Sequence, residues 1–361
     1  MGEKRTGGFK RLSFFSAMTA LSLGAAFLLT EIFLRIFLPQ QEAMGWFTPD
    51  QRYGFVMKKN FRQEYQYAGS IFTMIVETNS LGLRDREYDF SESFQKRILL
   101  IGDSFTFGYA VQAEDNFDYK LEKLALKKAG ENWAVINSGH GGWGTLQASR
   151  FARDHFEKFK PDAIVYTFCG NDPNDDVRFS SMRLDPVKGR LKFPGKAFIR
   201  EHSHLYRLIY NSYKIYENNR RLEKKMAQVD DLQNVVVDTQ SASVITPEIW
   251  RETLAKIQTL HQSFMEFNPD GRLLIQASAP LNKNIRRNLR SLENGKSLIY
   301  VDLADEVQKL PPKDRVLPYD GHWSPAVHTI SAQKIFEALQ RFSTEPDSSE
   351  TKTLVNQSWP E

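Results

Sequence analysis

In Ile98-Leu-Leu-Ile-Gly-Asp-Ser-Phe-Thr-Phe-Gly108 a continuous apolar run stops on Gly102-Asp103-Ser104, and a helical pattern begins directly after it. A serine at that junction stands at the carboxyl end of a strand and the N-terminus of a helix. Free backbone N–H groups and the helix dipole favour negative charge there. A hydroxyl is a poor nucleophile at neutral pH, so it needs a neighbouring base, and the base needs a group that holds its tautomer. His322 and Asp320, in Asp320-Gly-His-Trp323, are of those types and precede the last helical segment. The order Ser104, Asp320, His322 is one that serine hydrolases use. Thr106, however, stands where a Gly-x-Ser-x-Gly elbow has its second glycine, which excludes an ordinary α/β-hydrolase. Taken alone, Gly-Asp-Ser is equally a tight turn whose serine caps a helix.

Two further segments lie between these in the chain: Val135-Ile-Asn-Ser-Gly-His-Gly-Gly-Trp-Gly-Thr-Leu-Gln147 and Phe168-Cys-Gly-Asn-Asp172. In this order the four segments resemble the SGNH, or GDSL-like, hydrolase family in its membrane-anchored subgroup, over roughly residues 79–342. The resemblance implies a serine esterase with Ser104, His322 and Asp320 as its triad. It also implies an oxyanion hole made by the Ser104 N–H, the Gly142 N–H and the Asn171 side chain. A glycine lets the backbone approach the reacting centre, and an amide is a neutral, oriented donor. Gly139, Gly141 and Gly144 are alternatives to Gly142, which matches the family glycine ahead of Trp143-Gly-Thr. The family more often separates its last aspartate and histidine by two residues, where only Gly321 intervenes here. Anchored relatives and polysaccharide acetyltransferases show a similar Asp-x-His-Trp form.

The elements that must position these residues alternate strand and helix. Strands are expected at 97–102, 134–137, 163–168, 273–277 and 298–303, and helices at Phe117–Ala129, Gln147–Phe159, Pro247–Phe267 and from Ser324-Pro325 to about Phe342. The all-apolar 163–168 run is of the kind buried in parallel sheets. The pattern predicts an α/β fold with a doubly wound, flavodoxin-like parallel sheet flanked by helices. Cys169 reads as a small core residue, and a single cysteine cannot form an intramolecular disulfide. His140, His155 and His328 read as structural or exposed, and Asp172 as a loop brace.

Ahead of this core, residues 1–11 form a basic tail. Residues 12–38 read as a signal anchor, because the nineteen positions from Leu12 to Thr30 carry no formal charge. Basic residues precede the span, which places the N-terminus in the cytoplasm and the remainder on the periplasmic or extracellular side. Glu31 and Arg35 are four apart and able to pair near the far interface. A cleaved signal peptide is the rival, without an A-x-A-like site to support it. Residues 39–95 are a membrane-proximal lead-in with a strand at 71–76. There Gly82 and Arg84 also resemble a segment of anchored family members, Arg84 being either a functional contact or a salt-bridge partner. The catalytic domain is expected over 96–342 with an insertion at 173–245, and a disordered tail over 343–361. The Tyr-rich stretch Leu205–Tyr216 in that insertion is either a lid or a face that docks on the core.

The formal charge of +4 comes largely from the first eleven residues. It does not point to nucleic acid, which requires a clustered basic face. The expected partners are the membrane and an ester-bearing glycan, lipid or small molecule, with no cofactor and no metal; oligomeric state is open. The leading reading is an anchored esterase. An O-acyltransferase acting on an envelope polysaccharide, a metal-dependent hydrolase built on Asp103, Asp172, Asp320 and His322, and a catalytically idle envelope module are the alternatives.

Overall fold

The computed structural model describes residues 4–40, 45–67, 72–184, 198–199, 202–227, 246–278, 283–317 and 321–344. In chain order come helix α1 (Lys4–Phe37), strands β1 (Phe47–Asp50), β2 (Gly54–Met57), β3 (Arg62–Tyr67), β4 (Phe72–Glu77) and β5 (Lys96–Gly102), then helices α2 (Ser104–Phe107) and α3 (Phe117–Ala129). Strand β6 (Trp133–Asn137) leads to α4 (Thr145–Asp154) and α5 (Phe156–Phe159), and β7 (Ala163–Phe168) to α6 (Asp172–Leu184) and α7 (His204–Ala227). The remainder is α8 (Pro247–Phe267), β8 (Arg272–Ala277), α9 (Lys283–Arg290), β9 (Leu298–Val301), α10 (Ala304–Lys309) and α11 (Pro325–Thr344). Two compact units result, one from Met1–Glu87 with Pro173–Ser243 and one from Tyr88–Asp172 with Val244–Glu361.

The second unit is built on a parallel sheet of order β6-β5-β7-β8-β9. Its strands are continuous apolar runs because both faces are covered. Ile98 and Leu100 of β5 join a buried cluster with Phe117 and Leu121 of α3 and with Val327 and Ile335 of α11. The alternate residues Leu99 and Ile101 point to the opposite face, where α4 packs on α8. Numbered within this unit, the order is 2-1-3-4-5, the flavodoxin-like arrangement. It switches direction between β5 and β7 and opens a crevice at their carboxyl ends. This is the α/β architecture expected from the sequence.

Local signals set the boundaries. Asn116 accepts a hydrogen bond from the Phe117 N–H at 2.8 Å, and Gly130 closes α3 in the left-handed region. Thr246 caps α8 with Pro247 in its first turn. The single helix expected over 147–159 is instead two, α4 and α5, broken at His155. The His155 Nδ1–H donates to the Phe151 carbonyl at 2.8 Å, taking the acceptor that the residue's own N–H would use in a continuing α-helix. That N–H turns to Ala152 O instead.

The first unit carries two antiparallel hairpins, β1–β2 and β3–β4. After β4, the Asn79 Oδ1 accepts from the Leu81 and Leu83 N–H groups and its Nδ2 donates to Arg86 O. Gly82 sits in this turn at φ +78, where a Cβ would fall 2.7 Å from Met57 O, so no other residue fits. Arg84 is buried and its Nη2 donates to the Ile75 carbonyl at 3.0 Å.

Within α1, Phe14–Phe37 is long and apolar enough to serve as a membrane anchor or signal sequence. Its Phe and Leu side chains are largely exposed. In α7, Tyr213 and Tyr216 are also exposed, while Tyr206 and Tyr210 are half-buried.

Candidate active site

The nucleophile candidate is held by a one-turn helix that the strand end creates. Gly102 closes β5 at φ +148, and a Cβ there would lie 2.8 Å from Thr167 O and closer still to Thr106 Oγ1. Asp103 is buried and caps α2 through Phe105 N–H at 2.9 Å, and Gly108 ends it with φ +75. The loop after β6 backs this turn. At Gly139 a Cβ would fall 2.7 Å from Thr106 Cβ and closer to the Phe107 nitrogen, which assigns Gly139 to packing against α2. The Asn116 and Asn137 side chains both donate to Thr106 O, at 3.2 and 2.9 Å. Ser104 thus sits on a turn whose backbone is fixed from three directions.

His322 approaches from the far end of the chain. An isolated antiparallel bridge pairs Val316 with Trp323, and the Leu317 N–H donates to His322 O at 2.8 Å. Trp323 is fully buried, with its ring edge-on to Phe105 and Phe117. The imidazole lies between Phe105 and Tyr109, at ring-centroid distances of 4.8 and 4.9 Å. In that setting His322 Nε2 is 2.7 Å from Ser104 Oγ, within reach for proton transfer. Sequence reading missed Phe105 and Tyr109, which flank the ring. The aromatic spacing next to Ser104 was visible, but nothing in the pattern points to position 322.

The other sequence candidates leave the sheet at the same edge. Gly102 pairs with Thr167 in register, so Ser104 follows β5 and Asn171 follows β7 at adjoining strand ends. Gly142 follows β6, the other neighbour of β5, in the turn closed by the Trp143 N–H to His140 O. It is exposed at φ +83. Asn171 is half-buried, and the residue after it anchors its loop: the Asp172 carboxylate accepts from Tyr166 O–H and, at 3.1 Å, from Cys169 N–H. Thr145 Oγ1 extends this pairing to the Tyr166 hydroxyl at 2.7 Å. Asp320 lies outside the described residues. Burial pushes the Cys169 thiol well above its usual pKa and keeps it protonated. Among the described residues no set of three or more His, Cys, Asp or Glu converges to hold a metal ion.

His140 stands beside this edge in a neutral state. It is buried, stacked on Trp143 at 3.8 Å, and its Nδ1–H donates to Ser138 O at 2.9 Å. Burial lowers its pKa from 6.5 to about 4. Between those values the unfolded chain binds a proton that the folded chain refuses, so stability falls as pH drops through that window. The loss is on the order of 3 kcal/mol at its acid end. The urea midpoint therefore drops further between neutral pH and pH 4 in the wild type than in His140→Phe, which keeps a ring on Trp143. Equal drops would remove the imidazole as the cause.

The profile of the GDSL-like Lipase/Acylhydrolase family matches residues 100–330. No curated protein sequence matches the chain. Solved structures similar to it include a Clostridium thermocellum family 3 carbohydrate esterase, 14% identical, covering 69% of this chain and 97% of that one at a TM-score of 0.39. A lipase from goat rumen metagenome is 14% identical, covering 67% and 96% at 0.40. A lipase/acylhydrolase from Enterococcus faecalis is 16% identical, covering 68% and 96% at 0.38.

Proposed function

Because this chain belongs to the GDSL-like lipase/acylhydrolase family, we propose that it is a membrane-anchored serine esterase that removes O-acyl groups from a glycan, a lipid or a small ester. The observation that carries this reading is the 2.7 Å approach of His322 Nε2 to Ser104 Oγ at the carboxyl edge of the sheet. In the reaction, the Ser104 oxygen attacks the ester carbonyl while its proton passes to His322 Nε2. The carbonyl oxygen becomes an oxyanion, met by the Ser104 and Gly142 N–H groups and the Asn171 amide. His322 then returns the proton to the leaving alcohol, leaving an acyl group on Ser104. Water, deprotonated by the same nitrogen, attacks that acyl group, and the proton goes back to the serine oxygen as the acid departs. Asp320 has the role of accepting the His322 Nδ1–H and offsetting the imidazolium charge. In this reading the chain enters the membrane through α1 with its basic end in the cytoplasm, and the esterase works on the non-cytoplasmic side, an orientation that the basic residues ahead of the span support.

A fluorophosphonate probe is expected to label the wild-type chain at one site, and peptide mapping is expected to find the adduct on Ser104. Labelling elsewhere, or none in a chain that still hydrolyses aryl esters, would refute the assignment.

A further inference from the structure

Helix α7 starts where the apolar part of α1 ends, and the two are joined by a specific clasp. Glu31 of α1 accepts from the Ser203 hydroxyl at 2.9 Å, the His204 N–H at 2.8 Å and the Leu205 N–H at 3.0 Å. It therefore caps α7 with a carboxylate from another helix. Arg35, one turn later, donates to Glu31 at 3.1 Å and also to the His202 carbonyl. Just past α1, the Gln40 N–H donates to His204 Nδ1 at 2.8 Å, and the Gln40 carbonyl accepts from Arg207 Nη1 at 3.0 Å. Within Phe14–Phe37 the buried residues are Glu31 and Leu34, while their neighbours stay exposed.

The position of this clasp fixes its depth. With 1.5 Å of rise per residue, Glu31 lies about 26 Å along the helix from Phe14 and about 9 Å short of Phe37. A hydrocarbon core about 30 Å thick, entered at Phe14, ends near Leu34. The first turn of α7 is therefore held at the boundary between acyl chains and headgroups.

What α7 presents there suits that boundary. Ile209, Tyr213 and Tyr216 recur at spacings of four and three on one face, exposed by 62, 57 and 64%. Phe198 and Ile199, just ahead of the clasp, are exposed as well. Across His204–Ala227 the sequence places six Lys and Arg against two Glu. A helix of that charge cannot follow α1 into hydrocarbon, and one directed away from the bilayer would leave its Ile and Tyr face in water. A helix of net positive charge that exposes an apolar and aromatic face binds in the interfacial plane.

We propose that α7 lies flat in the interface of the bilayer that α1 enters, with Ile209, Tyr213 and Tyr216 at the acyl boundary and the net positive charge of the segment attracted by anionic headgroups. This rests on the anchored reading of α1. The test uses the full chain reconstituted in vesicles containing phosphatidylglycerol, with a solvent-sensitive fluorophore on Tyr216→Cys in a Cys169→Ala background. A lipid nitroxide placed near the headgroups is expected to quench most of the emission. Adding Glu31→Ala is expected to abolish that quenching while the protein still floats with the vesicles after alkaline extraction. A chain that floats while the position 216 label is quenched no more than one at Lys127→Cys overturns the interfacial helix and leaves the anchor standing. A chain that does not float overturns both.

Discussion

Ser104→Ala lowers kcat/KM on an aryl acetate by about 10⁴ to 10⁶, and His322→Ala alone, or the two together, lowers it by the same factor. In free energy that is about 5.5 to 8 kcal/mol of transition-state stabilisation. The size follows from what the pair does: with Ser104 Oγ and His322 Nε2 at 2.7 Å, bond formation and proton removal are one event. Removing the hydroxyl leaves the base nothing to activate, and removing the base leaves a hydroxyl of ordinary weakness. The losses must therefore coincide rather than multiply. Both side chains are half-buried, and the rings that hold His322 belong to Phe105 and Tyr109, so neither substitution is expected to change the circular dichroism or thermal midpoint appreciably. A double variant weaker than either single by a further large factor would show that the two residues act separately. Unchanged turnover in Ser104→Ala would assign the nucleophile elsewhere.

The placement of this pair was legible in part. Strands β5 and β7 announce themselves because a parallel strand covered on both faces must be apolar throughout, and α3 and α8 because Asn116, Gly130, Thr246 and Pro247 act within a few residues of the boundaries they set. Their alternation predicts the doubly wound sheet, and with it the edge shared by Ser104, Gly142 and Asn171. Long-range relations leave weaker traces. Strand β3, Arg62-Gln-Glu-Tyr-Gln-Tyr, is polar and gains its identity only by pairing with β4. The β1–β2 hairpin is four residues on each side and includes Pro49. The break at His155 depends on an imidazole taking a carbonyl that no propensity assigns to it. Glu31 looked like a partner for Arg35 four residues on, which it is, but its capping of α7 joins positions more than 170 apart in the chain. The role of Gly142 was assigned by resemblance alone, with Gly139 among the alternatives. The packing of Gly139 on Thr106 and Phe107 gives that glycine a different task, whereas Gly142 is exposed.

Asn171→Ala is expected to reduce kcat by about 10² to 10³ with little change in KM. The reasoning is that an ester carbonyl in the ground state carries little charge, so a donor aimed at the oxyanion is felt mainly after Ser104 attacks. Asn171 is suited to that task because its loop is pinned from behind: Asp172 is tied to Tyr166 and to the Cys169 N–H, and Tyr166 in turn to Thr145. An amide held by such a loop needs no reorganisation when charge appears. Asn171→Asp replaces a donor with an anion at the same place and should be slower than alanine, because it adds repulsion to the missing hydrogen bond. The ordering of wild type above alanine above aspartate separates this role from a packing role, in which the near-isosteric aspartate would be the milder change. Steady-state kinetics on one activated ester, with thermal unfolding as a control, decides between them: if aspartate retains more turnover than alanine, the oxyanion is stabilised by other donors and Asn171 only shapes the turn.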